Sequence, residues 1–454
     1  GLTVSNGGSD NYNIVLNGAS NSIAGTTTFA QGGTLTLGDG TGDATDFVGG
    51  MVATEPSGIT AQGTVKSDGG TGSLTLGDAN PGLSVAGDLT VGGTSTGAIS
   101  LGAVTLSDGA TLTVGVGSAN QIALDAISGT ASGTASNLTL NTTGTASVGA
   151  VGTDLGTVTV TQSGGTTFSS TVDTGTSVVL TDTTGTIQFD GALTTPTLTT
   201  AAAGYNVSLL GGSTITNAVT FSNTGTTQIG DATADTNTFT GGLTATAGAV
   251  TASGTIGTTN QDLSLGVVTL VEAQALTLDT ANTGGGNIAL SSITGVSGGS
   301  SGDVTLESGT GTIAVSGAIG TDIGTLSLQE NDGGATGAVT LSGAVTANTL
   351  TTFAQGYGVS LLGGGTITTD TTFLNTGAIT IGDGTGDTTT FTGGLDMTAG
   401  GSENLAGTII ATNQQIDVGA ANVSADATID GGSGAINLGA MTLSDGVTLT
   451  VGTG

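Results

Sequence analysis

One stretch is written three times along this chain, and that repetition restricts the possible folds more than any other feature. The copies run Phe29 to Met51 (FAQGGTLTLGDGTGDATDFVGGM), Phe221 to Leu243 (FSNTGTTQIGDATADTNTFTGGL) and Phe373 to Leu395 (FLNTGAITIGDGTGDTTTFTGGL). Each holds two phenylalanines at one fixed separation: Phe29 and Phe47, Phe221 and Phe239, Phe373 and Phe391. Between them lie an alternating strand, a Gly/Asp turn and a Thr-rich strand. A repeated unit of this size cannot bury its apolar face alone, so it points to a stacked array of turns.

The aromatic residues keep the same rhythm. They form three groups: Tyr12, Phe29 and Phe47; Phe168, Phe189, Tyr205, Phe221 and Phe239; Phe353, Tyr357, Phe373 and Phe391. Leaving Tyr357 aside, neighbours within a group are separated by roughly 16–21 residues, an interval suited to one coil of a solenoid. A chain wound with that period would place each aromatic over the last, so all of these except Tyr357 are expected to form a structural ladder.

Elsewhere the chain reads as short strands such as Leu35-Thr36-Leu37, Leu112-Thr113-Val114 and Val339-Thr340-Leu341, punctuated by Gly, Asp, Asn and Ser. Alternation sends one side chain inward and the next outward. β-Branched Thr and Val suit that geometry, and Gly with Asp or Asn supplies the corners. No window carries a capped helical period. The expected fold is therefore an all-β solenoid of roughly 16–21 residues per turn with essentially no helix. It runs continuously over residues 1–454, in blocks of approximately 1–190, 191–345 and 346–454. At about 18 residues per turn it makes roughly 25 turns, a rod on the order of 120 Å.

Tandem immunoglobulin-like sandwiches are the rival architecture. The block spacing opposes them. The copies begin at Phe29, Phe221 and Phe373, and the second interval is shorter than the first by about two turns. Whole-turn insertion is how a solenoid varies. A second repeat agrees, since Gly97 to Gly115 and Gly434 to Gly452 differ only at Ser100/Asn437, Val104/Met441 and Ala110/Val447. Neither end of the sequence reads as a polar cap. Either the chain is cut from a longer array or its open strand edges pair with another copy.

Charge excludes several functions. The chain has 33 Asp plus Glu against the single cation Lys66, a net charge of −32. Nucleic-acid partners need many cations, and anionic membranes repel such a chain. No apolar run is long enough to span a bilayer, and no signal peptide is expected at its start. Without His or Cys, Ser-His-Asp and Cys-His catalysis is impossible. A carboxylate-pair glycosidase lacks the Trp platform its cleft would use. No enzyme activity is expected. Disorder, the simple reading of 87 glycines, conflicts with a mean hydropathy of +0.29 and the clean alternation.

The Gly/Asp turns offer one candidate binding chemistry. Asp39 and Asp43, Asp231 and Asp235, and Asp383 and Asp387 recur at the same spacing across a tight corner. Paired carboxylates with turn carbonyls suit Ca²⁺; the simpler reading is that Asp favours turns. No other cofactor is expected. Threonine runs at Thr26–Thr28 and Thr388–Thr390 raise ice binding, but their sequence spacing is irregular.

Gly302 to Gln329 (GDVTLESGTGTIAVSGAIGTDIGTLSLQ) and Thr380 to Gly400 (TIGDGTGDTTTFTGGLDMTAG) resemble the giant repetitive surface proteins of Gram-negative bacteria. These are the filamentous-haemagglutinin-like and autotransporter-passenger-like β-strand-repeat proteins. The resemblance covers essentially the whole chain and lies in composition and rhythm. It implies a right-handed parallel β-helix, secretion, and an adhesive, sheath or matrix role at the cell surface. The expectation is a structural segment of an extracellular filament, sheath or surface layer whose partner is a further copy of itself. The alternative is an adhesin stalk presenting a tip outside this chain.

Overall fold

The computed structural model describes residues 2–5, 11–152, 154–281, 285–330 and 333–452. They form two compact units: Gly1–Asn217 with Phe221–Thr226, and Ala218–Thr220 with Thr227–Gly454. Each unit is a parallel β-solenoid, and no helix occurs among the described residues. In the first, ten strands stack in one ladder from Thr3–Ser5 through Leu74–Leu76, Ile99–Leu101 and Ile122–Leu124 to Asn206–Leu209. In the second, eleven stack from Val219–Thr220 to Met441–Leu443.

The alternation of the sequence becomes the wall of each solenoid. Leu74 and Leu76 lie over Ile99 and Leu101, which lie over Ile122 and Leu124, all buried. Their middle residues Thr75, Ser100 and Ala123 face outward. Each aliphatic side chain so enclosed contributes about 1.5–3 kcal/mol.

Turn length varies along the stack. In the first unit one turn carries the chain from Thr166 to its partner Ile187, and the next from Ile187 to Val207. In the second unit the turn from Val250 to Val268 is short, whereas that from Leu276 to Val304 is about half as long again. Paired strands keep their register while the corners absorb the difference. The interval between Phe29 and Phe47 is shorter than a turn, because Thr27 pairs with Met51 and both rings fall within that one circuit. They belong to different walls, Thr27–Ala30 and Ala44–Phe47, and meet edge-on across the core with centroids 6.0 Å apart at 88°. Phe168 and Phe189 instead occupy paired positions on successive turns, with rings 4.8 Å apart and within 5° of parallel.

The remaining aromatics divide by position. Tyr205, Phe221, Phe239, Phe373 and Phe391 are buried, and Phe353 is half-buried. Tyr12 is 41% exposed and donates to the Ser5 carbonyl. Tyr205 and Tyr357 share one arrangement. Each hydroxyl accepts from an amide shortly before it in the chain (Ala201, Phe353) and donates to a carbonyl of the preceding turn (Leu180, Leu328). Burial raises both phenols, that of Tyr357 to about 12.

A buried polar corner runs beside the apolar walls. In the first unit the Asn120 amide donates to the Ser95 and Gly97 carbonyls at 2.8 and 2.7 Å. Thr142 in turn donates to the carbonyls of Asn120 and Ser118. Ser308 and Gln329 make a comparable corner in the second unit, where the Gln329 carboxamide accepts from the Ser308 and Gly309 amides. Chain reversal leaves backbone groups unpaired, and these side chains satisfy them.

Candidate functional site

The three Gly/Asp turns fold alike. In the first, Asp43 N–H donates to the Gly40 carbonyl, and Asp43 Oδ2 accepts from the Asp39 and Gly40 amides at 2.8 and 3.2 Å. Asp235 binds the Asp231 and Ala232 amides at 2.8 and 2.9 Å, and Asp387 binds those of Asp383 and Gly384, both at 2.9 Å. The second aspartate of each pair thus staples its own turn. The Asp39 amide, chiefly, holds the Asp43 carboxyl below its usual range. Asp39 accepts from Asn17 Nδ2 on the preceding turn. Among the described residues, no three carboxylates gather where they could hold one metal ion.

Each turn rests on a glycine of the following turn. Gly63, Gly254 and Gly407 have φ of +83°, +73° and +73°. A Cβ there would lie 2.3, 2.4 and 2.4 Å from the carbonyl oxygens of Asp43, Asp235 and Asp387. The same carbonyls accept from the amides of Thr64, Thr255 and Thr408. The Gly-Thr pair one turn later, beyond the repeated stretch itself, is therefore part of the motif.

Beside this motif the first and third copies open into equivalent grooves. One, of about 410 Å³, is lined by Thr41, Gly63, Thr64, Asp88, Leu89, Thr90, Thr111 and Thr113. The other, of about 320 Å³, is lined by Thr385, Gly407, Thr408, Asp426, Ala427, Thr428, Thr448 and Thr450. Residue by residue these are the same positions, differing only at Leu89/Ala427. Register explains the alignment: Thr64, Thr90 and Thr113 pair in succession, as do Thr408, Thr428 and Thr450. Asp88 and Asp426 each spend Oδ1 on the next turn's amide, Thr111 at 2.9 Å and Thr448 at 2.7 Å.

The middle copy departs at this point. Gly254 pairs with Leu276, as Gly63 pairs with Leu89, so Ala275 stands where the others carry aspartate. Gln274 fills the space. Its Oε1 accepts from both the amide and the hydroxyl of Thr233, at 2.8 and 2.9 Å, and Thr233 Oγ1 accepts from the Ala275 amide.

A separate acidic groove of about 260 Å³ in the second unit includes Asp370, Asp396 and Asp417. Asp396 and Asp417 occupy paired positions, but Asp396 accepts from Thr398, and Asp417 from Gln415 and Asn437. Near Asp396, Glu403 is buried, 1% exposed, with both oxygens accepting from the Gly419 amide at 3.1 and 2.9 Å. Burial, reinforced by the nearby Asp396 charge, pushes its carboxyl up to about 7. Lys66 is paired with Asp68, and Asp46 lies alongside.

Sequence reasoning singled out the aspartate pairs but not the groove. The missed signal is Asp-x-Thr at Asp88–Thr90 and Asp426–Thr428, surviving where neighbours such as Ser84/Asn422 and Ala86/Ser424 have diverged. No protein-family model matches the chain, and neither does any curated protein or solved structure.

Proposed function

We propose that this chain is a structural β-solenoid of an extracellular filament, sheath or surface layer, whose work is mechanical and whose partner is a further copy. One observation carries the reading. The turn at Gly97–Gly115 offers its strands Ile99–Leu101, Val104–Leu106 and Thr111–Val114 to the next turn, where Ile122–Leu124, Ile127–Gly129 and Asn137–Leu140 pair with them. The near-identical turn at Gly434–Gly452 folds into the same three strands, Ile436–Leu438, Met441–Leu443 and Leu449–Val451. By analogy with the earlier turn, a further rung of this type fits upon it, and we assign that rung to another copy. Parallel strand edges recruit matching strands readily, and the charge of −32 leaves divalent cations a role in screening neighbouring copies.

Negative-stain electron microscopy of the 454-residue polypeptide, with and without millimolar Ca²⁺, tests this reading. Uniform fibres are the expected result. Discrete particles at all concentrations would favour the stalk of an adhesin instead.

A further inference from the structure

We propose that the two open grooves are binding sites for the acetamido group of a neutral N-acetylated amino sugar. The middle copy identifies the chemistry, because there the polypeptide supplies the occupant. Thr233 directs its amide and its hydroxyl at one carboxamide oxygen, that of Gln274. Thr41 and Thr385 hold the same place in the first and third copies, and among the described residues neither donates a hydrogen bond. Both are exposed at the groove wall. Gln274 and Ala275 of the middle copy stand where the other two copies carry Gly87 with Asp88 and Ala425 with Asp426, so only in the middle copy does a side chain at that position reach the threonine.

The rest of the wall narrows the ligand further. With a carboxamide oxygen at Thr41, the rest of the wall is supplied by Thr64, Thr90, Thr113 and Asp88. Hydroxyls both donate and accept while a carboxylate only accepts, a mixture that matches the hydroxyls of a sugar ring. The polypeptide's charge of −32 works against anionic sugars. Volumes of about 410 and 320 Å³ lie within the range of small-molecule sites. The first groove is open although a further turn, through Asn137–Leu140, already stacks on its strand Thr111–Val114, so binding there does not depend on assembly.

The test is calorimetric titration of the 454-residue polypeptide with the β-1,4 trimer of N-acetylglucosamine, against the glucose trimer of the same linkage. Two sites per chain are expected, with the glucose trimer about tenfold weaker for want of the carbonyl acceptor. Thr41→Val keeps the backbone amide and the branched shape. It should weaken one site about tenfold and spare the other, and adding Thr385→Val should weaken both. An unchanged circular dichroism spectrum will show that the variants fold. The proposal is overturned by no binding at millimolar sugar, by equal binding of the glucose trimer, or by binding indifferent to the double variant.

Discussion

Replacing Glu403 with glutamine should make the second solenoid unit more stable at neutral pH, and less so as the medium is acidified. Glu403 sits in an inward position of the strand Ser402–Ala411, between Ile379 and Ala421 of the adjoining turns. Its single main-chain donor, Gly419 N–H, does not compensate for removal from water, and the carboxyl rises from an ordinary 4.5 to about 7. The sign follows from which state holds the proton. Well below 4.5 the group is protonated in both the folded and the unfolded chain, so its ionisation takes nothing from stability. Between 4.5 and about 7 only the folded chain retains the proton, so stability falls as pH rises. Above that the full loss persists, about 3 kcal/mol at ~1.4 kcal/mol per tenfold change in proton affinity. Glu403→Gln carries no charge and escapes this loss. Urea unfolding of both proteins at about pH 5 and about pH 8 should therefore show a variant advantage that grows with pH. Because all exposed carboxylates are shared, the comparison isolates this one. Parallel stabilities across pH, or a Glu403 carboxyl titrating at 4.5 by ¹³C NMR, would refute the reasoning.

Two further outcomes follow from the turn geometry and a third from the net charge. Gly407→Ala adds a methyl 2.4 Å from the Asp387 oxygen at φ +73°, whereas Gly446→Ala, at φ +77°, meets nothing within 4 Å. Urea midpoints should show Gly407→Ala costing about 1–3 kcal/mol more than Gly446→Ala, and equal losses would contradict the close packing. Asn120→Ala removes two hydrogen bonds to the Ser95 and Gly97 carbonyls. It should cost about 1–3 kcal/mol and speed hydrogen exchange at the flanking corner amides; unchanged exchange would dismiss the polar corner as a structural element. If divalent cations screen neighbouring copies, chelation should loosen fibre bundles seen by electron microscopy, and bundles indifferent to chelator and to salt would remove cations from the account.

The strand walls were legible in the sequence because period-2 alternation has one physical meaning: Leu74, Ile99 and Ile122 could only face a shared interior. Corner geometry was not legible. Phe29 and Phe47 recur at a turn-like interval yet belong to two walls of one turn, and sequence spacing alone does not separate stacking from facing. The polar corner was hidden for a related reason, since Ser95, Asn120 and Thr142 look like ordinary loop residues until the carbonyls they satisfy are in place. Glu403 breaks the inward parity of its strand, which is the trace that could have marked it. The grooves lay furthest from view: Thr41, Thr64 and Asp88 belong to three turns and meet only through register.

Cryo-electron microscopy of fibres assembled from the 454-residue polypeptide tests the central account most directly. Parallel rungs that continue from copy to copy predict a strong layer line at about 4.8 Å along the fibre axis, unbroken at junctions between copies. Fibres lacking that layer line, or beads of globular density joined by linkers, would contradict it.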